Sequence, residues 1–208
     1  METGGTLPPA ASLSQVDIAP DTKDWTWVLE RTCQDCGLDS QAVPGRVVAD
    51  ILRSAAIAWQ GVLGRPEVRT RPDSSTWSPL EYGCHVRDVC QRFDARMSLM
   101  LTRDNPDFEN WDQDATALAQ RYGEQDPAVV AMELDDTART FAMHLDAVTG
   151  DQWLRTGRRA DGATFTVDSF ARYFIHDVVH HLHDVGSDFD PGRAMGWGPP
   201  GRSTNRSE

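Results

Sequence analysis

Five of the six histidines fall on two segments with helical periodicity, and four of them crowd into His176-Asp-Val-Val-His180-His181-Leu-His183. Side chains four apart on a helix rise by about 6 Å and share a face, so His176 and His180 can aim their imidazoles at one point. His85 lies four residues before Val89 and eight before Phe93, which puts it on the inward face of the other segment. Facing helices pack about 8–10 Å apart, the span of two imidazoles reaching for a common ion. The expected outcome is a metal triad of His85, His176 and His180. Three protein nitrogens leave a coordination position for water or substrate; zinc is the default ion, and nickel or ferrous iron also accept imidazole ligands.

The other histidines fit that pattern less well. His183 is seven residues beyond His176, a rise of about 10.5 Å that one ion hardly bridges. His181 is rotated by about 100° from His180 and is expected to face elsewhere. A ligating histidine usually gives its second ring N–H to an acid or a carbonyl, for which Glu81, Asp88, Asp177 and Asp184 are the nearby candidates. Cys33-Gln-Asp-Cys36 forms a single CxxC after Trp25 and Trp27. Without a second pair or a βαβ pattern, the CxxC is only a weak sign of half a zinc knuckle or a redox dithiol. Cys84 and Cys90, six apart, read as small apolar residues.

Four amphipathic helices must position these groups. The first runs from about Pro44 to Leu63, with Val48, Ile51, Leu52, Ala55, Trp59 and Val62 in phase and Gly64 after it. The second opens at Ser78-Pro79-Leu80-Glu81, a capping box with a proline at the first helical position, and runs to about Leu101. The third follows Asp126-Pro127, and the fourth starts near Thr166 and is stopped by Gly186. No alternating run is long enough to found a sheet. The fold class expected is all-α, a four-helix bundle with long connecting loops. Those loops offer Trp77, Trp111, Tyr122, Arg155, Arg158 and Arg159 as substrate contacts, the arginines as anion clamps.

A chain of 208 residues with 39% hydrophobic residues is enough for one core. Residues 1–23 read as a flexible leader, 24–189 as the bundle domain with an N-terminal extension at 24–43, and 190–208 as a Gly/Pro-rich tail. A net charge of -12 argues against a nucleic-acid partner. No apolar run reaches membrane-spanning length and no signal peptide is evident, so a cytoplasmic protein without a membrane partner is expected. Lys23 is the one lysine among 20 basic residues, a bias expected of a GC-rich genome.

The segments Trp77-Ser-Pro-Leu-Glu-Tyr-Gly-Cys-His85 and His176-x-x-x-His180 resemble the DinB/YfiT-like superfamily of metal-binding four-helix bundles, in its actinobacterial branch. The resemblance is strongest from about Pro44 to Val185. It implies a divalent ion, zinc or nickel in many members, on His85, His176 and His180, and it assigns His183 no role. It also implies a thiol S-transferase acting on a small electrophile with a low-molecular-weight thiol, mycothiol fitting the composition. A metal-dependent hydrolase in the same pocket and a non-catalytic metal or small-molecule binding protein are the alternatives, and a homodimer is left open.

Overall fold

The structure is a computed structural model that describes residues 24–195. The expected leader, 1–23, and the expected tail beyond Met195 lie outside the described residues. Four long helices form as the periodicity predicts: α1 (Val48–Leu63), α2 (Pro79–Thr102), α4 (Pro127–Asp146) and α5 (Val167–Asp184). Two short ones, α3 (Gln113–Ala119) and α6 (Pro191–Ala194), lie in the connection to α4 and after α5. None of the helices is long and apolar enough to cross a membrane.

The start signals work as chemistry requires. Ser78 accepts from the Glu81 N–H while the Glu81 carboxylate accepts from the Ser78 N–H at 2.8 Å, and Pro79 occupies the first helical position. Asp126 caps α4 ahead of Pro127, Thr166 caps α5, and Gly186 closes it at φ +62°.

The order of packing follows from pair contacts. The Phe93 ring of α2 meets Phe170 and Phe174 of α5 at 4.6 and 5.3 Å, while His85 meets His181 at 5.0 Å. Numbers rise on one helix as they fall on the other, so α2 and α5 are antiparallel. Arg87 pairs with Glu133 and Asp94 with His144, both at 2.7 Å, so α2 and α4 are parallel. The chain-consecutive long helices α1 and α2 stand on a diagonal, each flanked by α4 and α5. A parallel α2–α4 pair obliges their connection to return along α2, about 36 Å for 24 residues. The length of the 103–126 connection is therefore a topological requirement, and it brings Trp111 back toward the start of α2.

A three-stranded sheet was not expected. Its strands β1 (Asp107–Phe108), β2 (Thr156–Arg159) and β3 (Thr164–Thr166) run in the order β1-β2-β3, β1 parallel and β3 antiparallel to β2. They are too short to show alternation, and the Asp161-Gly162 turn, with Gly162 at φ +94°, joins β2 to β3. The core is one cluster, with Trp59, Phe141, Phe174, Ile51 and Leu134 fully buried between the long helices. The aromatic ladder Phe93, Phe170 and Phe174 packs α2 against α5 below the histidines.

Candidate metal centre

The first turns of α2 and the last turns of α5 meet because the two helices are antiparallel, and all the clustered histidines sit at that mouth. His85 is 1% exposed. Its ring stacks on Trp111 at 5.5 Å with 3° between planes, lies 5.4 Å from Trp77, and takes the edge of His181 at 5.0 Å. Its Nε2 is 3.6 Å from Asp177 Oδ2, while His181 Nε2 is 3.7 Å from Asp177 Oδ1. The metal-ligand atoms of His85, Asp177 and His181 all lie within 4.8 Å of one another. These separations are long for hydrogen bonds but suit neighbours around a shared ion with bonds of about 2.0–2.2 Å.

Both ring nitrogens of His85 and Oδ2 of Asp177 are buried with no hydrogen-bond partner among the described residues. Buried polar atoms are normally satisfied, so this trio fits a cation between them. Burial works to raise the Asp177 carboxyl, yet the attraction of His181 and His85 outweighs it and holds the group below the usual carboxylate range. The acid is thus in its ligating form. On its other side His181 is hydrogen-bonded through Nδ1 to Asp184 Oδ2 at 2.8 Å, which orients the ring and leaves Nε2 toward Asp177.

The expected triad of His85, His176 and His180 does not come together as one group. His176 and His180 do share a face, as their spacing requires, but that face meets Cys33 and Cys36 of the N-terminal segment, and the four residues form a second cluster within 4.8 Å. The reason is the 100° rotation per residue: Asp177 and His181 repeat the same four-residue spacing one position on, and theirs is the face turned toward His85. His181, expected to face elsewhere, is the histidine that approaches it.

The cluster opens into a cavity of about 760 Å³. Trp111 lines it, as expected, held by its Nε1 donating to Thr116 Oγ1 at 2.8 Å and by Arg92 over its ring. Of the three arginines expected to contact substrate, Arg159 lines it, paired with Asp161 and donating to the Tyr173 hydroxyl. Arg155 instead holds the carbonyls of Met100 and Arg103 at the end of α2, and Arg158 pairs with Asp107 across β1 and β2. Trp77 is packed behind His85, and Tyr122 is buried with its hydroxyl donating to Asp88 at 2.6 Å. Asp88 is further held by Arg87, and Glu81 is spent on the Ser78 cap and on Arg71, so neither acid serves the histidines. Asp177 faces His85 and His181 directly, and Asp184 contacts the other ring nitrogen of His181. His183 is half exposed at the helix end.

Three contributors had little or no signal in the sequence. Arg96 follows Phe93 by three residues on α2 and lines the cavity, its guanidinium pushed down to about 10 by burial and by Arg92 and Arg159 nearby. Tyr82 lays its ring 4.9 Å from His181. Trp25, from the N-terminal segment, lines the cavity beside His180, at 4.9 Å.

Fold and site together define a class: a four-helix bundle bearing a histidine and carboxylate cluster at the mouth between its second and last long helices. The sequence model of the DinB superfamily matches residues 53–185, and the chain belongs to that superfamily. Among solved structures it is similar to YfiT from Bacillus subtilis, described as a probable metal-dependent hydrolase with an unusual four-helix bundle topology. The TM-score is 0.60 at 18% identity, covering 73% of this chain and 87% of that one. No curated protein matches the chain.

Proposed function

We propose that the chain is a metal-dependent enzyme of hydrolase type, its divalent ion held by His85, Asp177 and His181. The observation that carries this reading is the buried His85 ring, whose two nitrogens have no hydrogen-bond partner among the described residues while it faces a carboxylate and a second imidazole at the head of a cavity. Two imidazoles and one carboxylate are a donor set for zinc or ferrous iron that leaves coordination positions open. A divalent ion bound there supplies a Lewis acid that lowers the pKa of a coordinated water or thiol into the neutral range.

The remaining work falls to the chain. Asp184 fixes the tautomer of His181, Trp111 and Trp25 exclude bulk water from the two sides, and the guanidinium groups of Arg96 and Arg159 attract an anionic part of a small substrate. The description of YfiT supports the hydrolase reading. A second reading, transfer from a low-molecular-weight thiol of the mycothiol kind, is favoured by the cavity volume, which is in the range that holds a drug-sized ligand, and by those two arginines.

The test is turnover by the zinc-loaded protein of p-nitrophenyl esters without thiol, and of chlorodinitrobenzene with thiol. Ester turnover lost in His85→Ala and Asp177→Ala supports hydrolysis, and turnover that requires thiol supports transfer. Stoichiometric metal with neither activity, across a wider ester, amide and electrophile panel, replaces both with a binding protein.

A further inference from the structure

Cys33, Cys36, His176 and His180 are not used by the function proposed above, yet they converge. We propose that they hold a second ion, a structural zinc that fastens the N-terminal segment to α5. Their ligand atoms lie within 4.8 Å of one another, Cys33 is fully buried, and the cysteines are free thiols. Cys33 Sγ stands 3.6 Å from His180 Nδ1. A tetrahedral zinc with bonds of about 2.3 Å to sulfur and about 2.1 Å to nitrogen separates those neighbours by about 3.6 Å. His176, 3% exposed, has its Nε2 buried without a hydrogen-bond partner among the described residues.

The backbone around the cysteines has the shape of a metal knuckle. The Cys33 N–H donates to the Leu38 carbonyl, the Gly37 N–H donates to the Cys33 carbonyl, both at 3.0 Å, and Gly37 sits at φ +72°, which glycine adopts without strain. The turn therefore brings the two sulfurs to one side. A two-residue gap between the cysteines and a three-residue gap between the histidines both fall within the spacings of Cys2His2 zinc sites. Four protein donors close the coordination sphere, so the role is structural and not catalytic. Binding releases the two thiol protons to solvent.

The consequence reaches the other site. Trp25 precedes the knuckle by eight residues, and its ring rests on His176 and His180 at 5.7 and 4.9 Å while it lines the cavity. Fixing Cys33 and Cys36 to α5 thus holds one wall of the cavity in place.

Cobalt substitution of the full-length protein tests this without any variant, because two thiolates on tetrahedral cobalt give a near-ultraviolet charge-transfer band. Zinc content measured on the refolding-competent variants, checked by far-ultraviolet circular dichroism, then assigns it. Expected are two zinc ions per chain, a charge-transfer band in cobalt protein, loss of one ion and of the band in Cys33→Ser/Cys36→Ser, and loss of one ion with the band kept in His85→Ala. A single ion that carries the band supports this site and removes the ion on His85, Asp177 and His181. Bound cobalt without the band, a Cys33–Cys36 disulfide in protein isolated under reducing conditions, or unchanged zinc content in the cysteine variant overturns the proposal.

Discussion

Asp184→Asn is the most informative single change at the metal centre, because it alters no proposed ligand. Asp184 Oδ2 lies 2.8 Å from His181 Nδ1, and the two side chains are 24% and 17% exposed. A hydrogen bond to a charged group of this kind contributes about 1.5–3 kcal/mol, and its place at the rim points to the lower part of that range. At about 1.4 kcal/mol per decade, affinity for zinc should fall by roughly tenfold, at the low end of the 10- to 100-fold commonly lost with an outer partner. The asparagine keeps the shape and still offers a neutral acceptor, so the fold and the ligand count stay the same. Competition with a chromophoric chelator measures the affinity, with Asp188→Asn, exposed and three residues past the Val185 cap, as the control. Weakening in Asp184→Asn but not in the control is expected. Equal affinities in the two would mean that His181 does not ligate, and the ligand set would fail with it.

Other residues give separate tests. Trp111→Ala should keep its metal and lose about threefold to tenfold in kcat/KM, the contribution of one aromatic stack, and an unchanged kcat/KM would place the substrate elsewhere. Tyr122→Phe removes the donor at 2.6 Å from buried Asp88 and should destabilise by about 1.5–3 kcal/mol, read as a lower urea midpoint at constant slope. For Glu81, burial raises the carboxyl but Arg71 and the Ser78 groups outweigh it, and its pKa lies below the usual value. A depressed acid contributes stability that is present above its unfolded pKa and is lost as pH falls through the folded one. Glu81→Gln should therefore cost about 1–2 kcal/mol at neutral pH, and the gap to wild type should shrink as pH falls below about 4.5; a gap that stays constant through the acid range would refute the ion pair's role.

The four long helices were legible because each carries its own signal: apolar residues at helical spacing, a cap, and at Ser78 a full capping box. The sheet was not, since strands of two to four residues cannot display a period. The histidines of α2 and α5 do meet beside the cavity, where the two helix ends come together. What spacing could not decide was which of two equivalent pairs, His176 with His180 or Asp177 with His181, turns toward α2. That choice is made by how Phe174, Val178 and Leu182 seat α5 in the core, a long-range packing matter. A search for histidines alone passes over the second pair, because one of its members is an acid. The CxxC was visible, but its partners lie well over a hundred residues away, with Cys33 and His180 separated by 147 positions.

The two kinds of structure divide the labour at the mouth. Candidate ligands of the open site, His85, Asp177 and His181, all stand on long helices locked by the aromatic ladder below them, where rotamers are held by packing. The walls come from the connections. Trp111 arrives on the crossover that a parallel α2 and α4 make necessary, Arg159 on β2, and Trp25 on the segment before α1. Loops accept substitution at little cost to the core, whereas ligand helices do not. A bundle built this way can therefore reshape its cavity by altering Trp25, Trp111 or Arg159 while the cluster at the helix mouth stays the same. Trp25 differs from the other two in being tethered to the ligand helix itself, through Cys33 and Cys36 opposite His176 and His180. The same helix thus presents one face to His85 and the adjacent face, 100° away, to the wall that encloses the cavity.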